Sequence, residues 1–158
     1  MPDAAAVGFL QAVELAAVAL YPQAAAAVGS PAALAATTAF VSHHRAHARA
    51  FAALAGGSAV RAAPAKLTAA LAPASPLASE RDALAYLHTL ESRLAATQQS
   101  LLGGLVTVPA IALVAGTVPV ECQHATLFGS LLSLPLADVV PVAQGTSGRL
   151  APEDYPLP

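Results

Sequence analysis

The chain has 158 residues, enough for one domain with a substantial core, and we expect a single domain. Its formal net charge is -2 and no cluster of Lys and Arg occurs, which excludes the basic surface that a nucleic-acid partner requires. Only 10% of residues are charged, so the helix surfaces must carry mostly Ala, Thr, Ser and Gln. We expect part of this weakly polar surface to be covered by a second copy of the chain, which favours a homodimer.

Ala- and Leu-rich blocks separated by Gly and Pro predict four helices, at about 4–28, 32–55, 79–102 and 108–133. The links after the first and third helices are short and favour antiparallel hairpins. The segment 56–78 is long enough to run the length of a bundle. The expected fold is therefore all-α, an antiparallel four-helix bundle with a long crossover between helices 2 and 3.

The C-terminal residues 134–158 contain five prolines and no helical period. We expect an extended strap over the bundle or a neighbour, which places the bundle at about 4–133 within one domain, 1–158. Pro22 and Pro119 lie inside predicted helices and should kink or shorten them. Cys122 is the only cysteine, so no intrachain disulfide forms, and we predict a small core residue there.

Two windows, Leu15–His44 and Leu94–Val120, carry no acidic, Lys or Arg side chain and are long enough to raise a membrane interpretation. Gly and Pro interrupt both windows and Ala is only weakly apolar, which favours a packed soluble bundle. The N-terminus has no basic start followed by an apolar stretch, as a secretory signal would. The prediction is a cytoplasmic protein with no membrane partner.

Heptad spacing gives each predicted helix one inward stripe. The stripes are Val7, Leu10, Glu14, Ala17, Tyr21; Phe40, His44, His47, Phe51, Leu54; Leu84, Leu87, Glu91, Leu94, Gln98, Leu101; and Val114, Thr117, Glu121, His124, Phe128, Leu131. Six Glu and His residues stand near the middle of these stripes. Because mid-helix positions meet at the centre of a bundle, we expect them to converge there.

The spacing of these six residues repeats. In each predicted hairpin the first Glu precedes the next two polar positions by 30 and 33 residues. A shift of 77 residues therefore superimposes the two hairpins, as expected for a pseudo-two-fold axis through the cluster. It pairs Glu14 with Glu91, His44 with Glu121, and His47 with His124.

Three carboxylates in so apolar a core would cost several kcal/mol each if unpaired, and no Lys or Arg lies on the inward stripes. Metal ions would resolve this conflict. The alternative is a polar plug in which the Glu and His side chains bond one another, with raised carboxyl pKa values or buried water.

Five segments also look familiar: Val13-Glu14-Leu15-Ala16-Ala17-Val18, His43-His44-Arg45-Ala46-His47-Ala48, Leu90-Glu91, Val118-Pro119-Val120-Glu121-Cys122-Gln123-His124-Ala125 and Leu150-Ala151-Pro152-Glu153-Asp154-Tyr155-Pro156. On these residues the chain resembles the ferritin-like superfamily over nearly its whole length, in particular actinobacterial ferritin-like domain proteins. The resemblance implies a di-iron carboxylate site made of a Glu from two helices and Glu-x-x-His from the other two. Glu14, Glu91 and the pair Glu121 and His124 fit that pattern.

The second helix departs from the pattern, because His44-x-x-His47 stands where Glu-x-x-His is expected. Three carboxylates do not cancel the four charges of a ferrous pair, so a hydroxide, another anion or a single ion would be needed. The extra imidazole also shifts preference toward zinc, copper or nickel. We therefore expect one or two transition-metal ions, with iron first and manganese, zinc or copper as alternatives.

Three further residues are candidates for a second layer around the ions. His43 adjoins His44 and points about a quarter-turn away, toward a supporting position or a helix contact. Tyr21 could bond a ligand carboxylate or a metal-bound water, or serve as a core aromatic. His88 lies three residues before Glu91 and could extend the site, although its place just off the stripe favours a half-exposed helix face.

Two functions follow. The first is a metal-binding ferritin-like protein, which as an enzyme would be a metal-dependent oxidoreductase reacting with oxygen or peroxide. The alternative is a metal-free structural or interaction module that dimerises through its Ala-rich faces. Storage in a cage is a weaker third hypothesis.

Overall fold

A computed structural model describes residues 2–139 and 147–157 of the chain. Over these residues the protein forms six α-helices and no strand, which confirms the all-α prediction. The helices are α1 Ala4–Ala25, α2 Pro31–Ala55, α3 Ala65–Leu71, α4 Glu80–Leu102, α5 Val108–Leu131 and α6 Leu136–Val139, with 3-10 turns at Gly56–Ser58 and Pro152–Asp154.

The four long helices lie where the sequence predicts them, with differences of one residue at two ends and of two or three residues at the ends of α1 and α5. α1 ends at Ala25 instead of residue 28, three residues beyond Pro22. There the backbone hydrogen bonds join residues three apart, as in a 3-10 turn: the N–H of Ala27 donates to the carbonyl of Ala24 at 3.0 Å. α5 ends at Leu131 and runs without interruption through Pro119.

The long helices pack as two hairpins, α1 on α2 and α4 on α5, which meet through α1–α4 and α2–α5 contacts. Large apolar side chains of the stripes such as Leu10, Phe51, Leu87 and Phe128 are fully buried. Each such side chain contributes roughly 1.5–3 kcal/mol by leaving water. The inward stripes read from the sequence therefore do form the core.

Both hairpin turns are held by a carboxylate at the start of the other hairpin. One carboxylate accepts backbone N–H bonds of 2.8 Å and 2.8 Å from the α1–α2 turn, and the other accepts bonds of 3.1 Å and 2.8 Å from the α4–α5 turn. The 77-residue shift thus extends to the turns. It pairs Asp3 with Glu80, Gly29 with Val106, and Ser30 with Thr107.

The crossover between α2 and α4 is more structured than predicted, because it contains α3. Seven residues are too short to show a clear helical period, and α3 depends on burying Leu67 and Leu71 against the core. Gln11 holds the crossover through two bonds of 2.8 Å, one to and one from the backbone of Val60. A Cβ at Gly8 would lie 2.5 Å from the carbonyl oxygen of Ser58, so this approach requires glycine.

The C-terminal tail contacts α4 around Leu150. Leu150 is buried, and its N–H donates to Oγ1 of Thr97 at 2.9 Å. Arg93 donates to the carbonyl of Gly148 at 3.0 Å and to that of Ala70 at 2.7 Å, so it joins the tail to the crossover. These contacts agree with the predicted strap.

The tail also contains the short helix α6, which the proline-rich sequence did not predict. The helix begins after Pro135, whose carbonyl accepts hydrogen bonds from the N–H groups of Asp138 and Val139. The predicted extended path over 140–146 lies outside the described residues.

Two helices, α1 and α5, are long and apolar enough to cross a membrane by length and composition. Of the apolar window in α1, 67% is buried inside the protein, against 33% in α5. The two windows noted in the sequence each cross a helix break instead of forming one helix. The apolar character of α1 is thus accounted for by the core, whereas α5 keeps exposed Val108, Ile111 and Leu127.

Candidate metal centre

The structure brings all six predicted metal ligands together between the four long helices. They form two groups that share His44 and Glu121. We call Glu14, His44, His47 and Glu121 the first metal position, and His44, Glu91, Glu121 and His124 the second. Within each group the ligand atoms lie within 4.8 Å of one another, so each group could hold a metal ion.

His44 lies at the centre of the cluster and is completely buried. Its Nδ1 is 2.8 Å from Oε2 of Glu14, and its Nε2 is 3.0 Å from Oε1 of Glu91. Burial alone would lower the pKa of His44, but the carboxylates of Glu91, Glu121 and Glu14 raise that pKa well above its usual value. Without metal, His44 is therefore an imidazolium that donates one N–H to each hairpin's first Glu.

His47 and His124 occupy equivalent places in the two hairpins. Nδ1 of His47 lies 2.9 Å from Oε1 of Glu121, and Nδ1 of His124 lies 3.2 Å from Oε2 of Glu91. Burial opposes their protonation, yet the neighbouring carboxylates raise the pKa of His47 to about 9 and raise that of His124 as well. Three protonated imidazoles would thus match the three carboxyl groups in number.

The expectation of raised carboxyl pKa values in a metal-free cluster is wrong for Glu91. Burial favours its neutral form, but His44 and His124 outweigh burial and hold the pKa of Glu91 well below its usual range. Cationic histidines, and not only the apolar core, determine the protonation of this carboxylate.

Glu121 contains the one buried side-chain oxygen of the cluster that has no hydrogen-bond partner among the described residues, its Oε2. The nearest nitrogens are Nδ1 of His124 at 3.3 Å and Nδ1 of His44 at 3.8 Å. An unsatisfied buried acceptor costs about 1–3 kcal/mol, and more when charged. Because Glu121 belongs to both metal positions, the unsatisfied oxygen fits a cation.

Tyr21 supports the cluster from α1. Its hydroxyl donates to Oε1 of Glu91, and its ring centroid lies 5.1 Å from that of His44. Burial and the negative charge of Glu91 raise the pKa of Tyr21 well above its usual value, so it remains a donor. This geometry matches the predicted role of bonding a ligand carboxylate.

Gln98 and Thr117 also support the cluster, although the sequence did not predict this role for them. Nε2 of Gln98 donates to Oε1 of Glu14 at 2.7 Å, and Oγ1 of Thr117 donates to Oε1 of Gln98 at 2.7 Å. Both residues stand on the inward stripes, and Gln98 follows Tyr21 by 77 residues. The repeat could have indicated Gln98 as the counterpart of Tyr21, but not Thr117, whose counterpart is the apolar Phe40.

His43 contacts the cluster through His124. Its Nδ1 lies 2.9 Å from Nε2 of His124, and Phe40 stacks on the His124 ring with centroids 3.8 Å apart. Burial, followed by the charge of His124, lowers the pKa of His43, so a neutral His43 accepts the N–H of His124. The arrangement fixes which nitrogen of His124 faces the carboxylates.

His88 does not join the hydrogen-bond network of the cluster. Its ring packs over Gly129, where an added Cβ would lie 3.1 Å from Nε2 of His88. The residue is half-buried just off the stripe, in agreement with the half-exposed helix face that its spacing favours. Cys122 is also only half-buried, not a core residue as predicted, and burial raises the pKa of its thiol.

No model of a known protein family, no curated protein and no solved structure matches this chain. The ferritin-like resemblance read from the sequence therefore stays a prediction. What the chain does has to be inferred from the geometry of its Glu and His cluster.

Proposed function

We propose that this chain is a ferritin-like four-helix bundle protein that binds one or two transition-metal ions in its core. Oε2 of Glu121 carries the proposal, because it is buried and belongs to both metal positions. It makes no hydrogen bond among the described residues, only ion-pair contacts of 3.3 Å with His124 and 3.8 Å with His44. A metal ion could bind this oxygen at a shorter distance than either imidazole does, and would complete the surroundings of a buried charge.

The two positions use the same kinds of ligand. Each combines two carboxylates with two imidazoles, a mixed oxygen and nitrogen set that suits iron, manganese, zinc or copper. His44 presents Nδ1 toward Glu14 and Nε2 toward Glu91, so its neutral ring could bind an ion at either position, and ions at both positions only as an imidazolate. When bound, a redox-active ion such as iron would supply reactivity toward oxygen or peroxide.

The protein's own residues hold this site in place. Tyr21 donates to Oε1 of Glu91 and Gln98 donates to Oε1 of Glu14, while Oε2 of each carboxylate bonds a histidine of the cluster. Buried apolar residues such as Leu94 and Val114 lie on the same inward stripes, and the burial of Glu14, Glu91 and Glu121 strengthens the electrostatic interactions within the site.

A second candidate is the metal-free structural module. It is favoured by the two hydrogen bonds of His44, which connect the two hairpins through Glu14 and Glu91 without any ion. On this alternative the cluster is an ion-paired plug that sets the register of the hairpins. Exposed apolar residues such as Leu34, Ile111 and Leu127 would then lie in a dimer interface.

Elemental analysis of protein purified without added metal or chelator tests the proposal. We expect about one or two equivalents of transition metal, or uptake on adding ferrous iron, manganese, zinc or copper. Bound metal should raise the melting temperature, since a ligand that binds only the folded state stabilises it. Oxygen consumption on adding ferrous iron would then distinguish a redox site from a structural one.

The double variant His44→Ala, Glu121→Ala removes both shared ligands and should lose this metal-induced shift. His88→Ala is the matched control, because it removes a half-buried imidazole outside the cluster and should keep the shift. Less than a tenth of an equivalent of metal in the parent protein, unchanged after reconstitution, would leave the metal-free module as the function. Gel filtration under the same conditions tests the proposed dimer.

A further inference from the structure

We infer that the two metal positions are unequal: the second is closed and retains its ion, while the first is open to solvent through His47. This inference rests on the proposed metal binding and adds which position exchanges its ion and accepts a small external ligand. Structural metal sites are typically closed by protein ligands, whereas reactive ones keep a position for water or substrate.

Burial distinguishes the two positions. All four ligands of the second position are buried, with His124 only 2% exposed. The first position differs by His47, whose side chain is 15% exposed. Solvent and small anions can therefore approach the cluster beside His47, but not beside His124.

The support given to the two equivalent histidines also differs. His124 is stacked by Phe40 at 3.8 Å and hydrogen-bonded by His43 at 2.9 Å. The residue equivalent to Phe40 in the other hairpin is Thr117, which has no ring to stack on His47. The aromatic contact of His47 is an edge-on one with His44, at 6.3 Å between centroids.

These differences determine how each imidazole can move. A metal-ligating His whose other nitrogen is bonded and whose ring is stacked stays oriented, and loss of such a supporting partner typically costs about 10–100-fold in metal affinity. His47 has more freedom to swing toward solvent. The ion at the first position should therefore leave faster and bind an added anion.

Chelator competition on the zinc-loaded protein tests the inference without any activity measurement. We expect two release phases when a colorimetric zinc chelator is added in excess. His47→Ala should abolish the fast phase and leave one slowly released equivalent. His124→Ala should abolish the slow phase.

His43→Ala is the variant least able to disturb folding, since His43 is exposed. It should accelerate the slow phase by about 10-fold and leave the fast phase unchanged. No change in the slow phase, or a change in the fast phase instead, would contradict the inference. Cobalt-loaded protein gives a second readout, because added azide should alter the visible spectrum of the parent but not of His47→Ala.

The outcomes separate this inference from the proposal beneath it. Two equivalents released at one common rate would overturn the inequality while leaving metal binding intact. If a single equivalent binds, its retention in His47→Ala and loss in His124→Ala supports the closed second position, and the reverse pattern overturns it. Absence of any bound zinc, cobalt or iron would overturn both.

Discussion

The α1–α2 and α4–α5 hairpins are alike in backbone and unlike in chemistry. The 77-residue shift relates the carboxylates that hold their turns, their first Glu residues and their last His residues. It breaks down around the cluster. There the shift pairs His44 with Glu121, Tyr21 with Gln98, and Phe40 with Thr117. Both members of each pair lie on an inward stripe, so the two hairpins keep the same backbone arrangement although their side chains differ.

The difference at His44 has the largest consequence. A Glu there would give four carboxylates and two histidines, which requires cations, whereas His44 gives equal numbers of each. As an imidazolium it donates to both Glu14 and Glu91. His44 thus balances the charges of the cluster without a metal ion, and leaves one carboxylate fewer to bind one.

Restoring the symmetry with His44→Glu should have the largest effect on stability. The change removes the donor between Glu14 and Glu91 and adds a fourth carboxyl group, so we expect the metal-free protein to lose at least about 3 kcal/mol. Saturating manganese or ferrous iron should recover much of that loss. Chemical denaturation with and without metal measures both effects.

Glu121→His is the reciprocal change and gives both hairpins His-x-x-His. With only two carboxylates left, affinity for hard divalent ions such as manganese should fall well below that of the parent protein. Equal manganese affinity in His44→Glu, Glu121→His and the parent would show that the asymmetry does not control metal binding.

The histidines should also give the metal-free protein a pronounced pH dependence. The folded pKa of His47 is raised to about 9, so its stabilising contribution is full below the unfolded value of 6.5 and is lost as pH rises through about 9. The raised pKa values of His44 and His124 act in the same direction. Stability should fall on the alkaline side by up to about 1.4 kcal/mol per pH unit for each group.

Melting curves between pH 6 and pH 10 measure this decline. His47→Gln should flatten it, and a slope identical to that of the parent would remove His47 from the ion-paired cluster. Metal should have the opposite pH dependence. Since it displaces protons from the histidines, its affinity should increase as pH rises.

Thr117→Val tests the polar support that only one hairpin has. The substitution leaves Oε1 of Gln98 buried without the Thr117 donor, which should cost about 1–3 kcal/mol. Thr38→Val is the control, because Thr38 is exposed and its hydroxyl bonds only the carbonyl of Leu34 within its own helix. It should change stability by about 0.5 kcal/mol or less. Equal effects of the two substitutions would argue against a supporting role for Thr117.

The turn contacts should show the smallest effects and the closest similarity between hairpins. Hydrogen bonds from Thr107 lower the pKa of Asp3, and those from Ser30 and Gly29 lower the pKa of Glu80. Their contributions are present above the unfolded pKa values and are lost as the pH falls through the lower folded values. Asp3→Asn and Glu80→Gln should therefore each reduce acid sensitivity slightly, as measured by melting temperature between pH 2 and pH 6.

The four long helices could be predicted because their apolar stripes span many turns and Gly and Pro punctuate them. The helix α3 could not, since its few residues are helical only where Leu67 and Leu71 meet the core. The six candidate ligands followed from polar residues recurring on the stripes. Gln98 stood on those stripes too, but an amide there is compatible with many environments.

The sequence by itself determined the all-α class, the two hairpins and the residues that face inward, because these depend on periodicity along the chain. Only the tertiary structure decided which side chains of the cluster contact one another and which of them is exposed. The bonds of His44 to both hairpins, the unsatisfied oxygen of Glu121 and the exposure of His47 depend on distances of a few ångströms between helices remote in sequence. Such distances follow from packing, to which all the side chains contribute at once.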